Sequence, residues 1–187
     1  MFFMKSSPVN TAWMRHKNSI PRLCGLSRSL MQQNMIMIGF LADHLDTIPK
    51  LAKWFRAQWP DYFADWSQVE MEQDFLADTS RDHLPTRLVA FASNELVGTI
   101  ILREPGIETL AEFRPELGGL YVVESHRHLG IGTELVRAGM KLALDQGYEK
   151  VYATTVVASG ILERLGWQFV RTVVHSDGQL SLYQCKL

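Results

Sequence analysis

The chain has 187 residues, 47% of them hydrophobic and 21% charged, with a formal net charge of −1 at pH 7. That length suits one domain with a real core, and the composition is ordinary for a soluble globular protein. A near-neutral balance argues against a dedicated nucleic-acid surface, and no apolar run is long enough to span a bilayer. Two isolated cysteines, Cys24 and Cys185, form neither a disulfide framework nor a zinc cluster.

Residues 1–34 stand apart. They hold Lys5, Arg15, Lys17, Arg22 and Arg28 with no acid, whereas the remainder holds 14 basic and 20 acidic residues. Serines and prolines are scattered there, and no hydrophobic period persists. Such text is compatible with a targeting segment. It is also compatible with an extension upstream of Met31, Met35 or Met37 that does not join the core. The second reading is the expectation, which gives one domain over 35–187 and a cytoplasmic location.

The first regular element is a strand over Ile36–Leu41. After the Asp43–Asp46 turn, Asp46 or Thr47 caps a helix with Pro49 in its first turn. Ile48, Leu51, Phe55 and Trp59 share one face of it, and Pro60 stops it. Trp54, Trp59, Tyr62, Phe63 and Trp66 then make a dense aromatic cluster. A second short helix runs over Val69–Ala77, and Asp78–Pro85 is a polar loop. Leu88–Ser93 and Leu96–Arg103 alternate as a β-hairpin turning at Asn94-Glu95. A loop over Glu104–Pro115 leads to a strand at Leu117–Val123.

The stretch from Glu116 to Gln146 organises the rest. The strand feeds Arg127-His128-Leu129-Gly130-Ile131-Gly132, and Thr133 opens a helix that Gly147 ends. The first N–H groups of a helix have no internal partners, so a glycine-rich loop before them can seat a phosphate. Arg127 adds a fixed positive charge. The same six residues also describe a plain strand-to-helix turn. A dinucleotide fingerprint would need a third glycine where Leu135 stands, and a Walker loop would need a lysine after Gly132. Beyond the helix come a strand at Lys150–Thr155, a short helix at Ser159–Leu165, a strand at Trp167–His175, a turn at Ser176–Gln179 and a closing strand at Leu180–Lys186.

LAKWFRAQWPDYF, LYVVESHRHLGIG and ILERLGW, in that order and in those contexts, resemble the GNAT superfamily of N-acetyltransferases over residues 35–187. The element order β, α, α, β, β, β, α, β, α, β, β is similar to that family's as well. The resemblance implies an α/β (α+β) fold, with a mixed central sheet of six to seven strands flanked by four helices. It implies acetyl-CoA as co-substrate, with no metal, lying between two parallel strands that splay apart. Backbone groups of Tyr121, Val122 and Val123 would hold the pantetheine arm. Arg127, His128, Leu129, Gly130, Ile131, Gly132 and Thr133 would seat the pyrophosphate. A neutral amine of a small molecule or peptide would attack the thioester directly, with the backbone N–H of Val123 stabilising the oxyanion.

A carboxylate is the usual base. Glu116, at the start of the core strand, is the first choice, and Glu124 is the second. His126 and His128 would add charge or packing. Trp54 and Tyr62 are the expected acceptor-pocket residues within an otherwise core-forming aromatic cluster. Acidic loops around the pocket would attract a cationic amine.

The chain departs from the pattern at Leu162, where the family's tyrosine would protonate the leaving thiolate. Leucine cannot donate a proton; CoA thiolate is a tolerable leaving group, so transfer need not be lost, and Ser159 or Thr155 could substitute directly or hold a water. An acyl-CoA-binding module with little catalysis is therefore the alternative reading. His128 replaces a usual glycine and fits there if its φ is negative. The expected partners are acetyl-CoA and an amine acceptor, without nucleic acid or membrane, on a monomer or homodimer.

Overall fold

A computed structural model of the protein describes residues 36–175 and 178–187. The basic segment 1–34, Cys24, and the first half of the expected Ser176–Gln179 turn lie outside the described residues. Seven strands form one mixed sheet in the order β1-β2-β3-β4-β5-β7-β6. They are β1 (Ile36–Phe40), β2 (Thr86–Ala92), β3 (Glu95–Arg103), β4 (Glu116–Val122), β5 (Lys150–Thr155), β6 (Gln168–His175) and β7 (Gly178–Lys186). Four α-helices flank them: α1 (Ile48–Gln58), α2 (Gln68–Ala77), α3 (Ile131–Asp145) and α4 (Ser159–Arg164). The order of strands and α-helices is the one expected.

The sheet is covered on both faces, so β2 is buried throughout. Its alternation sorts the two cores. Leu88, Ala90 and Ala92 join Leu135, Val136, Leu142 and Ala143 of α3 and Leu162 of α4. Val89 and Phe91 point the other way, into Leu51, Ala52 and Phe55 of α1 and Met71 and Phe75 of α2. Gly139 lets α3 lie close on β4, since a Cβ there would come within 2.4 Å of Leu117 Cδ1.

Boundaries moved where local chemistry was misread. The hairpin turns at Ser93-Asn94, both at positive φ (49° and 66°), not at Asn94-Glu95. That left-handed pair is the two-residue turn that matches strand twist. α2 starts one residue earlier than expected because Ser67 and Glu70 form a capping box: Ser67 Oγ accepts the Glu70 N–H, and Glu70 Oε2 accepts the Ser67 N–H. The Ser67 backbone donor holds the Glu70 carboxyl below its usual range. The hydroxyl of Thr47 does not cap α1; it donates to the His44 carbonyl at 2.6 Å.

β4 carries one extra residue against β3. Thr99 pairs with Tyr121 and Ile101 with Gly118, so two steps on β3 oppose three on β4. The excess is absorbed at Gly119, whose φ is +55°, a conformation natural to glycine. The bulge shifts the alternation. Leu117 and Leu120, an odd number of residues apart, both pack toward α3. Glu116 and Tyr121 consequently both face the side of α1 and α2.

Candidate acyl-transfer site

β4 and β5 run parallel and pair at a single register point, Glu116 with Tyr152. The Tyr152 N–H bonds the Pro115 carbonyl at 3.0 Å. Beyond that point β4 holds to β3 and β5 pairs along its length with β7. The two strands therefore open a gap at their C-terminal ends, where ligands of parallel sheets bind. α3 begins beside this gap, two residues before the expected Thr133. Its N-cap, Gly130, is left-handed at φ +85°, carries no side-chain cap, and has open space where a Cβ would stand. The N–H groups that follow, from Ile131, Gly132 and Thr133, are those that a helix leaves without internal partners. Gly132 is helical, and a Cβ on it would approach Ile161 Cδ1 at 3.2 Å.

Arg127 lies across the mouth of the gap. Its Nε donates to the Val122 carbonyl at 3.0 Å, and its Nη2 reaches Gln58 Oε1 at 3.4 Å. His126 Nδ1 lies 2.9 Å from Ser125 Oγ, and Leu129 is exposed. His128 corrects an expectation: its φ is +63°, not negative. The loop keeps the left-handed bend that a glycine would make there, and the histidine Cβ strains it. His128→Gly is expected to stabilise the fold by ~1 kcal/mol, seen as a melting temperature higher by roughly 2–4 °C.

Val123 also needs correction. Its N–H donates to the Val97 carbonyl at 2.9 Å, so it is already committed to β3. N–H groups alternate along a strand, which turns the Val122 N–H to the opposite side, into the gap. Tyr121 presents its ring to the other face, 5.2 Å from Trp54.

Glu116 stands where the gap begins. It is 4% exposed, and three groups hold its carboxylate. Thr154 Oγ donates to Oε1 at 2.5 Å, the Gly106 N–H donates to Oε2 at 2.9 Å, and Arg103 Nη2 lies 3.4 Å from Oε2. The carboxylate opens onto a cavity of about 570 Å³ between the sheet and α1–α2. Phe55, Trp59, Tyr62, Phe63 and Trp66 wall it on one side. Tyr62, expected in the acceptor pocket, is among these cavity-lining residues. Trp54 is not: it packs on Tyr121, with Lys50 Nζ 5.1 Å from its ring. Trp59, which helical spacing assigns to the core, lines the cavity instead, half-exposed at the end of α1. Glu124 is exposed in a 3₁₀ turn beside the glycine loop and does not line the cavity.

Two cavity residues escaped sequence reasoning. Arg87 is buried, and both its Nε and its Nη2 bond Asp78 Oδ2, at 2.7 and 2.6 Å. It stacks on Phe75 and Phe55, 4.4 and 5.3 Å from the ring centres. Burial pushes the Asp78 carboxyl above its usual range against the pull of Arg87, and pushes the Arg87 guanidinium below its own. The second residue is Arg103, beside Glu116. The signal was available for Arg87: it shares its parity with Val89 and Phe91 in a strand covered on both faces.

In α4, Leu162 is packed in the core. Ser159 bonds the Tyr183 hydroxyl, which itself donates to Glu163 Oε1 at 2.8 Å. The Glu163 contact, opposed by Ser159, raises the Tyr183 hydroxyl above its usual range. Thr155 Oγ accepts the N–H groups of Val157 and Ala158, at 3.1 and 2.8 Å. Both hydroxyls considered as substitutes for the missing tyrosine therefore have structural partners. Among the described residues, no His, Cys, Asp and Glu side chains gather as a metal site.

A splayed parallel strand pair, with a left-handed glycine loop opening a helix at the gap, is the layout that the resemblance to the GNAT superfamily implies. Comparison with known proteins gives the family. The family model described as "Acetyltransferase (GNAT) family" matches residues 51–166. N-acetyltransferase 8B of Homo sapiens is 29% identical over 169 residues, covering 84% of this chain and 72% of that one. N-acetyltransferase 8 of Mus musculus is 30% identical over 158 residues, covering 80% and 66%. A GNAT-family acetyltransferase from Streptococcus pneumoniae superposes with a TM-score of 0.63 at 12% identity, over 82% of this chain and 99% of that one. A structure from Salmonella typhimurium with acetyl-CoA as its cofactor superposes at 0.64 and 16%, over 81% and 94%. The chain belongs to the GNAT acetyltransferase family.

Proposed function

We propose that the protein transfers the acetyl group of acetyl-CoA to a primary amine bound in the cavity before Glu116. The observation that carries this reading is the juxtaposition of the β4–β5 gap, which starts at Glu116, with that cavity. A donor entering from the α3 side and an acceptor entering from the α1–α2 side meet there. The residues present fit acetyl-CoA: the uncapped start of α3 and Arg127 match a pyrophosphate, and the unpaired edge of β4 matches an amide-bearing arm. Acetyl-CoA supplies the activated acyl carbon.

The chain's own groups do the rest. Glu116, directly or through one water, accepts the proton of the attacking amine. The Val122 N–H donates to the thioester oxygen as negative charge builds on it. The new C–N bond forms as the C–S bond breaks, and the thiolate takes its proton from water.

Titration calorimetry tests the donor half. Wild type should bind acetyl-CoA saturably, and Gly130→Asp should not. Aspartate at this left-handed φ is strained by about 1–2 kcal/mol, but the space there is open, so a carboxylate occupies the anion seat at that modest cost, and a melting curve run beside the titration verifies the variant's fold. Absence of binding by folded wild type would overturn the donor assignment.

Leu162 favours a second reading, an acyl-CoA-binding module with little catalysis, because nothing at that place can protonate the leaving group. Tight acetyl-CoA binding without CoA release across a broad amine panel would establish it.

A further inference from the structure

Resting on the acetyl-transfer reading above, we propose that the acceptor is an amino compound that also carries a carboxylate, which the Arg87 and Arg103 guanidiniums receive in the cavity. Arg87 uses Nε and Nη2 on one oxygen of Asp78, and its Nη1 is buried with no hydrogen-bond partner. A guanidinium has five donors in a fixed fork, and a buried group left without a partner is uncommon in a native structure. Nη1 lies behind Gly119 at the cavity wall, and a Cβ at 119 would stand only 3.5 Å from it. The bulged glycine thus places no side chain between Nη1 and the cavity, so a small shift of the wall is enough to bring a ligand oxygen to it. Arg103 lines the same cavity, and its Nε is also buried without a partner. The charge of Arg103 is felt at Arg87, so the two cations share one region.

The carboxylates around the two cations complete the pattern. Asp78, which does not line the cavity, is taken by Arg87, and Glu116 is tied to Thr154, Gly106 and Arg103. Asp74 and Glu116 are the carboxylates that line the cavity. A ligand with one cationic and one anionic end matches this mixture better than a simple amine does. Its amine lies toward Glu116 and its carboxylate toward the Arg87 fork, where a planar anion gains charge-assisted hydrogen bonds. The aromatic wall receives its apolar body.

The test uses matched pairs that differ only in the carboxylate: L-phenylalanine with 2-phenylethylamine, and L-leucine with 3-methylbutylamine. Calorimetry is run with CoA present, so that no transfer occurs. In at least one pair the amino acid should bind roughly tenfold to a hundredfold more tightly than its amine, the scale of hydrogen bonds to charged groups. That preference should vanish in Arg103→Gln and in the Asp78→Leu, Arg87→Met double variant, which removes the buried pair together so that no charge is stranded. Equal binding in both pairs, or a preference that survives both variants, overturns the proposal. A second arm replaces CoA with acetyl-CoA and reads CoA release. Carboxylate preference in binding without any release would leave the anion subsite standing and sink the acetyl-transfer reading. Release favouring the carboxylate-free amines would do the reverse.

Discussion

Glu116→Gln should lower the acetyl-transfer rate by roughly 10²- to 10⁴-fold, the usual contribution of a positioned base, while the dissociation constant for acetyl-CoA stays unchanged. The substitution is nearly isosteric. The Thr154 hydroxyl can reverse and accept from the new amide, because a hydroxyl both donates and accepts, and the Gly106 N–H keeps an oxygen within reach. The carboxylate at 116 lines the cavity on the α1–α2 side of the sheet, so the loop at Gly130 should not sense the change. The residual rate of the variant should climb with pH as a larger share of the amine becomes neutral in solution. Steady-state kinetics from pH 6 to 10, paired with calorimetry, make the measurement. A rate within threefold of wild type would remove Glu116 from the mechanism.

Asp78→Asn should be the most damaging single substitution for stability. It strips the counter-charge from a guanidinium that is 5% exposed and packed between two phenyl rings. Breaking a buried pair from one side costs about 3–5 kcal/mol, which for a chain of this size lowers the melting temperature by roughly 6–20 °C. Removing both partners should be far milder. Asp78→Leu with Arg87→Met should recover to within about 2 kcal/mol of wild type, because apolar groups of similar volume carry no desolvation penalty. Thermal denaturation of the single and double variants decides it. A harmless Asp78→Asn would mean that Arg87 is not dependent on its ion pair.

The fold was readable because its elements are signalled locally. Strands at Lys150–Thr155 and Leu96–Arg103, the α1 stop at Pro60 and the α3 stop at Gly147 all follow from periodicity and turn chemistry. The glycine loop was readable for the same reason. What the sequence hid depends on neighbours in space. The β4 bulge consists of two ordinary glycines until β3 fixes the register, and without it the side on which Glu116 emerges is undetermined. Whether the Val123 N–H is free depends on Val97, twenty-six residues away. Trp59 reads as core by spacing, yet it lies where α1 ends and the cavity begins. Arg87 was overlooked because a lone arginine at a strand start ordinarily points to solvent. Only the helices on both faces of β2 make that impossible.

The sheet also acts as a partition. The apolar groups over α3 and α4 form one cluster, and those under α1 and α2 form another. The strands between them are the shared wall. Substitutions under α1 and α2 reshape the cavity on their own face of the sheet, while the glycine loop packs with α3 on the other. The two sides meet where Arg127 reaches Gln58 at the end of α1. Changes within 48–77 that spare this contact should alter the cavity and leave the loop in place.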